Sequence, residues 1–154
     1  MNANGGLRIW VAGGCLHARA IPRIHWQSLS ILPSRVAVNP AAEEVLIGLH
    51  LLLLCRRERR VPFTAIRRID YSHVYAAGRR RRRSRDTYTV SLVLLGAEEE
   101  VIPLFRFSGR DSVGWDCEWN LPSSDGRIDM SGDPKTASRR SVMVLQQFTG
   151  KPLV

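Results

Sequence analysis

The most regular pattern along the chain is an alternation of apolar and polar residues over residues 86–95. A period of two is typical of a β-strand with one buried face. A polar turn at residues 96–100 follows, and residues 101–107 are again mostly apolar, so we expect a β-hairpin. Its predicted core face is formed by Tyr88, Val90, Leu92 and Leu94. Its predicted outer face is formed by Thr87, Thr89 and Ser91.

The segment before this hairpin predicts another strand. Over residues 65–71, Ile69 and Tyr71 point to one side of an extended chain and charged residues point to the other. Pro62 cannot donate a backbone hydrogen bond, so it belongs at a sheet edge or at the start of a strand. Residues 1–34 predict only an irregular start with short strands.

Residues 35–55 are compatible with two structures. A helix is favoured by Asn39 as a good N-cap, by Pro40 at the first helical position, and by a run of leucines with high helix propensity. A strand pair is favoured because residues 39–44 suit a hairpin turn and the apolar residues after them alternate. The inward face would then be Val45, Ile47, Leu49, Leu51 and Leu53, with an outward face that includes Gly48 and His50. The pattern leaves both structures open.

The C-terminal part of the chain predicts one amphipathic helix over residues 134–149. Asp133 is a suitable N-cap, Pro134 suits the first helical position, and Gly150 is a suitable C-terminal stop. Helical spacing collects an inward face of Ala137, Ser141, Val142, Leu145 and Phe148. We therefore expect a mainly β fold, built from antiparallel strands and closed by one C-terminal helix.

The 154 residues suit a single domain, which typically takes about 100–200 residues. We divide the chain into an irregular segment, residues 1–34, and a β domain, residues 35–154. The β domain includes a polar, acidic insert at residues 108–133. No run reaches the roughly 18 apolar residues of a membrane-spanning helix, and we see no secretory signal. The three cysteines, Cys15, Cys55 and Cys117, are far apart and form no C-x-x-C pair, which indicates a reducing compartment, so we expect a cytoplasmic protein.

Positive charge is concentrated in one part of the chain. The formal net charge is +9, and residues 56–86 hold twelve arginines against three acids, so the rest of the chain is neutral. Four of these arginines, at positions 56, 57, 59 and 60, flank an apolar strand. We interpret them as charges that protect an exposed sheet edge from aggregation. Six others form a dense basic segment: Arg79, Arg80, Arg81, Arg82, Arg83 and Arg85.

Residues 59–107 resemble the pleckstrin-homology-like (PH-like) domains of bacteria. The similarity is carried by Val61-Pro62-Phe63-Thr64-Ala65-Ile66, Ile69-Asp70-Tyr71, the strand at residues 88–95, and Ile102-Pro103-Leu104. The resemblance implies a bent antiparallel sheet or half-open PH-like barrel closed by the C-terminal helix. It also favours a strand for residues 45–55, and it implies binding or scaffolding rather than catalysis. The acidic insert is not part of the family pattern.

The basic segment predicts an anion-binding site. Adjacent guanidinium groups repel one another and bury little, so a solvated loop is expected. Near an anionic lipid leaflet each arginine contributes about 1 kcal/mol, which is enough for the segment to tether a protein. Phosphates of nucleic acid suit arginine equally well, but no aromatic residue is interleaved for base stacking. Alternatively, the run is merely tolerated, or the acidic insert neutralises it.

The remaining candidate residues point to no chemistry of their own. Trp115 and Trp119 either pack on the sheet edge or form an exposed pair that contacts a partner. The histidines and cysteines lack the spacing of a metal site, and neither a phosphate-binding glycine loop nor a nucleophile elbow is found. We therefore expect no catalytic residue, no metal and no cofactor.

Together these features predict a non-catalytic adaptor or accessory subunit. It would dock through the basic segment onto an anionic membrane surface or a membrane-associated protein complex, at the inner face of the membrane. Nucleic-acid binding through the same segment is the alternative. The sequence leaves the identity of the partner and the oligomeric state open.

Overall fold

The computed structural model describes residues 7–20, 33–51, 55–76, 85–109 and 125–154. Within these ranges the chain forms nine strands and one helix. The elements are β1 (Arg8–Ala12), β2 (Cys15–Arg19), β3 (Arg35–Asn39), β4 (Glu44–Leu51), β5 (Cys55–Pro62), β6 (Ile66–Ala76), β7 (Arg85–Leu94), β8 (Glu100–Gly109), β9 (Gly126–Ile128) and α1 (Pro134–Thr149). The strands form antiparallel sheets that are not closed into a barrel, so the mainly β fold class with one C-terminal helix is confirmed.

The larger sheet has six strands in the order β5-β4-β3-β2-β1-β9. Each strand from β1 to β4 pairs with the next one along the chain, and β9 returns to pair with β1. β2 pairs with β3 across the division we predicted between residues 34 and 35, so both sides of that division contribute to one sheet. β9 lies in the predicted acidic insert, where the sequence indicated no strand. It is held because Ile128 is buried opposite Ile9.

The ambiguity over residues 35–55 is resolved in favour of a strand pair. β3 and β4 form a hairpin, and in its turn the Asn39 side chain accepts hydrogen bonds from the backbone N–H groups of Ala41 (3.1 Å) and Ala42 (3.2 Å). The residue that would have capped a helix therefore caps a turn. Helix propensity is a weak preference, and cross-strand packing and burial outweigh it in β4, whereas residues 52–54 of the leucine run lie outside the described residues.

The predicted inward face of β4 is largely confirmed within the described side chains. Val45 and Ile47 are buried, and Leu49 is half-buried. Gly48 faces the other side, as predicted, but is buried there because its cross-strand partner Arg35 covers it. The other positions we assigned to these faces lie outside the described side chains: His50, Leu51 and Leu53.

The smaller sheet has the order β6-β7-β8, and the predicted hairpin is its β7–β8 pair. All four predicted core residues are buried: Tyr88, Val90, Leu92 and Leu94. The expectation of a polar outer face was only partly right. Thr87 and Thr89 are half-buried, whereas Ser91 and Val93 are both buried. A register shift between Val90 and Ser91 interrupts the regular pairing at this point, as a bulge does.

Helix α1 contacts β6, β7 and β8 of the smaller sheet and β3 of the larger one. The Asp133 carboxylate accepts a hydrogen bond from the Thr136 N–H (2.7 Å), and Gly150 ends the helix in the left-handed conformation (φ 67°). Both predicted ends of the helix are thus confirmed. Its predicted inward residues are buried except for Phe148, which is half-buried. No helix in the described part of the chain is long and apolar enough to cross a membrane.

The residues after the helix extend the smaller sheet. The Ile69 N–H donates to the Pro152 carbonyl (2.8 Å), and the Val154 N–H donates to the Ile69 carbonyl (3.1 Å). The C-terminus therefore lies along the outer side of β6, where it satisfies backbone groups that a sheet edge would otherwise expose.

Candidate anion-binding site

The basic segment that we predicted as the docking site connects β6 to β7. Residues 79–83 lie outside the described residues, and so does the side chain of Arg85. Trp115 and Trp119 also lie outside them. β6 and β7 remain paired up to Ala76 and Arg85, so the basic segment follows directly from the end of a long antiparallel hairpin.

The last described residues of this hairpin are unusually apolar for an exposed surface. Val74 is 61% exposed and Tyr75 is 64% exposed. Successive residues of a strand point to opposite faces, so the hairpin carries an apolar side chain on one face and an aromatic one on the other. Both are within five residues of Arg79. An exposed apolar side chain and an exposed aromatic one therefore lie at one end of the smaller sheet, and the basic segment follows them in the sequence.

A row of rings supports this end of the hairpin. The His73 ring stacks on Tyr88 (4.4 Å between ring centroids), and Tyr71 stacks on the same tyrosine at 6.0 Å. His73 Nε2 lies 3.1 Å from Asp86 Oδ1, and the Tyr71 hydroxyl lies 3.0 Å from the Ser138 hydroxyl of α1. The row thus runs from the helix toward the hairpin end, and it fixes the strands that carry Val74 and Tyr75.

Four arginines of β5 and β6 contact a carboxylate: Arg59, Arg60, Arg67 and Arg68. β5 is a terminal strand of its sheet, which confirms the edge position that we predicted for its arginines. Arg59 forms a bidentate pair with Glu100, and one of the two hydrogen bonds measures 2.8 Å. Arg67 and Arg68 both contact Glu99, at 2.5 and 3.0 Å. The acidic turn between β7 and β8 therefore offsets part of the charge that the sequence concentrates here.

The pKa values of these groups are shifted in the directions expected for ion pairs. The hydrogen bond from Arg68 lowers the pKa of Glu99, and the hydrogen bond from Arg59 lowers the pKa of Glu100. The same hydrogen bonds raise the pKa values of Arg68 and Arg59. All four groups therefore keep their charges at neutral pH.

Three other arginines lie side by side on the outer face of the larger sheet. Arg8 is the cross-strand partner of Arg19, and Arg19 is the cross-strand partner of Arg35. All three are exposed, whereas the residues next to them along the strands, Ile9, Ala18 and Val36, are buried. Period-two geometry thus places the three guanidinium groups in one row across β1, β2 and β3. We call this the arginine row.

The arginine row holds like charges at close range. Among the described residues, no ion pair joins Arg8, Arg19 or Arg35 to a carboxylate. Like charges directly opposite each other destabilise a sheet. The nearest acid in the same row of residues is Glu58 of β5, and Gly48 of β4 separates it from Arg35. The row therefore has the charge and exposure of an anion-binding surface.

An aromatic pair lies beside the arginine row, two residues further along β1 and β2. The Trp10 and His17 rings are stacked, with centroids 5.4 Å apart and planes inclined by 18°. Arg127 of β9 is the other cross-strand partner of Trp10, and Ala37 of β3 is the other partner of His17. Planar rings and guanidinium groups thus share one exposed sheet face.

This surface was not predicted from the sequence. Arg8, Arg19 and Arg35 are separated by 11 and 16 positions, outside the basic stretch at residues 56–86. The available signal was that each one lies next to a buried apolar residue in a short strand, and so points outward. Only the pairing register brings the three together.

Comparisons with protein-family models, with curated proteins and with solved structures found no match for this chain.

Proposed function

We propose that this protein is a non-catalytic docking domain that attaches to an anionic membrane face, or to a membrane-associated complex there, through the end of the β6–β7 hairpin. The proposal includes the PH-like relationship, which a mainly β fold with a C-terminal helix supports. The observation that carries it is the exposure of Val74 and Tyr75 next to the basic segment.

This combination of side chains favours binding to a membrane surface. Arginines near an anionic leaflet contribute about 1 kcal/mol each, and tyrosine prefers the interface between headgroups and acyl chains. An apolar side chain such as Val74 gains from leaving water when it enters the interface. A purely electrostatic polyanion would use the arginines but would gain little from Val74. The hairpin end therefore favours lipid over nucleic acid as its ligand.

Co-sedimentation with phosphatidylcholine vesicles, with and without phosphatidylserine, tests the proposal. We expect binding only to the vesicles that contain phosphatidylserine. Replacing all of residues 79–83 by serine should abolish it, and Val74→Ser with Tyr75→Ser should weaken it at unchanged net charge. Replacing residues 79–83 by lysine is the matched control, because it keeps the charge and should keep most of the binding.

Two results would contradict membrane docking. If vesicle binding persists in both the serine variant of residues 79–83 and the Val74→Ser/Tyr75→Ser variant, the hairpin end is not the docking site. If the serine variant instead loses affinity for duplex DNA or RNA and wild type ignores vesicles at physiological salt, the nucleic-acid alternative is correct. Thermal unfolding of each variant shows whether its fold is retained.

A further inference from the structure

We infer that the outer face of the larger sheet is a second binding site, whose ligand is a single strand of nucleic acid. The arginine row would hold backbone phosphates, and the Trp10–His17 pair would stack against a base. This site lies on a different sheet from the β6–β7 hairpin, and it does not depend on membrane docking.

The charge pattern of the face points to a ligand with several successive negative charges. Strands in a sheet are about 4.8 Å apart, so three arginines on adjacent strands extend over about 10 Å. One small anion would contact only part of such a row. Guanidinium groups bind phosphate oxygens through two parallel hydrogen bonds, which makes a chain of phosphodiesters a suitable partner.

The rings are placed where the bases of such a chain would lie. Trp10 and His17 are two residues along their strands from Arg8 and Arg19, a separation of about 6.8 Å. Ala37, the neighbour of His17 on β3, carries only a methyl group, so no large side chain from that strand covers the second face of the imidazole. A base seated above Ala37 would stack on His17 with its phosphates directed toward Arg19 and Arg35.

The same features disfavour other anionic ligands. Double-stranded nucleic acid keeps its bases stacked inside the helix, whereas a single strand offers free ring faces to aromatic side chains. An acidic peptide matches the charge but supplies no ring at each repeat. Binding to a lipid surface is strengthened by side chains that project into it. The central residues of this face, Ala37 and Leu46, are instead half-buried in the sheet.

Fluorescence anisotropy with a labelled single-stranded oligouridylate, measured over a salt series, tests the site. The variant Arg8→Gln/Arg19→Gln/Arg35→Gln should weaken binding and reduce the salt slope by about 2, because each phosphate contact in a single strand contributes about 0.7. Arg79→Gln/Arg81→Gln/Arg83→Gln is the matched control. It removes the same charge from the hairpin connection and should change the slope far less.

A second variant separates stacking from charge. His17→Ala leaves every arginine in place, and we expect it to weaken oligouridylate binding about fivefold or more, since base stacking is worth about 1–3 kcal/mol. Backbone amide chemical shifts recorded during the titration should change most in β1, β2 and β3. This measurement locates the ligand on the wild-type protein, so it does not depend on the folding of any variant.

Several outcomes would overturn the inference. One is an oligouridylate affinity that the two triple variants reduce equally. Another is duplex binding as tight as single-strand binding together with no effect of His17→Ala, which would mean non-specific attraction to any polyanion. A third is phosphatidylserine-vesicle binding that requires the arginine row while oligouridylate does not bind. The proposal for the β6–β7 hairpin would still be decided by its own vesicle co-sedimentation experiment.

Discussion

Two groups of arginines in this protein occupy opposite electrostatic situations. Arg59, Arg67 and Arg68 come from the most basic part of the sequence, yet each contacts a carboxylate of the β7–β8 turn. The arginine row comes from outside that basic part, from arginines widely spaced along the chain, and no ion pair with a described carboxylate offsets it. Charge density along the chain is therefore a poor guide to the charge that a ligand would meet.

The difference arises from which strands become neighbours. The β7–β8 turn brings Glu99 and Glu100 to the side of the molecule where β5 and β6 carry their arginines, so these charges are satisfied internally. On the outer face of the larger sheet, two consecutive antiparallel pairings, β1–β2 and β2–β3, place arginine opposite arginine. Ion pairs within the fold stabilise it, whereas like charges directly opposite each other on an exposed face destabilise it.

The largest effect is expected from Arg19→Glu, at the centre of the arginine row. The change converts two opposed like-charge pairs into two opposite-charge pairs, so it should raise the free energy of unfolding by about 1 kcal/mol at low salt. Urea denaturation at low and high salt measures this, and high salt should reduce the gain because exposed charges are screened. The same variant should bind oligouridylate more weakly than wild type.

Arg19→Gln is the control for this prediction, since it removes the repulsion without adding an attraction. Its stability should fall between those of wild type and Arg19→Glu. A loss of stability in both variants would show that the arginine row already has a stabilising partner within the protein, and the contrast between the two groups would then disappear.

A smaller change in the free energy of unfolding, and a decrease rather than an increase, is expected at the paired arginines. Glu99→Gln with Glu100→Gln should lower the free energy of unfolding at neutral pH, because it leaves Arg59, Arg67 and Arg68 without their carboxylates. Glu98→Gln, in the same turn, is the matched control. Chemical denaturation of the double variant, the control and wild type over a range of pH measures the difference.

The pH dependence of that difference has a definite sign. The pKa values of Glu99 and Glu100 are lowered from the ordinary value of 4.5 by their hydrogen bonds to arginine. Their contribution to stability is thus fully present above that value and is lost as the pH falls through the lowered values. Wild type and the double variant should converge in acid. A difference that stays constant down to the acid limit would contradict the ion-pair explanation.

The smallest effect is expected for Arg60→Gln. Arg60 lies 3.6 Å from Glu44, and its side chain is 74% exposed. Exposed single ion pairs of this kind contribute little, so the free energy of unfolding should change by less than about 0.5 kcal/mol. Denaturation at low ionic strength gives the most sensitive measurement. A larger loss would mean that distance and exposure do not separate weak pairs from strong ones on this surface.

Much of the fold could be predicted because its signals are local. Alternation in β7 and the capping residues Asp133 and Gly150 each act within a few positions, and the structure confirms them. Residues 35–55 were ambiguous because Asn39 caps a turn as well as it caps a helix. β9 was not predicted, because a three-residue strand carries no period and depends on β1 for its existence.

The two candidate sites also differ in whether their residues are neighbours along the chain. The basic segment is visible in the sequence because its arginines are contiguous, and the hairpin end next to it adds Val74 and Tyr75. The arginine row and the Trp10–His17 stack require the register of three strands, and a shift of one residue would turn their side chains to the other face. Sequence pattern alone does not specify that register.

The amino-acid sequence alone was sufficient for the strand and helix boundaries set by caps, for the mainly β class, and for the location of the contiguous arginines. These features depend on neighbours along the chain. The partners of each arginine were settled by packing between distant segments. Side chains far apart in sequence interact only after backbone pairing and burial have fixed their positions, and electrostatic energy depends on that final separation rather than on order along the chain.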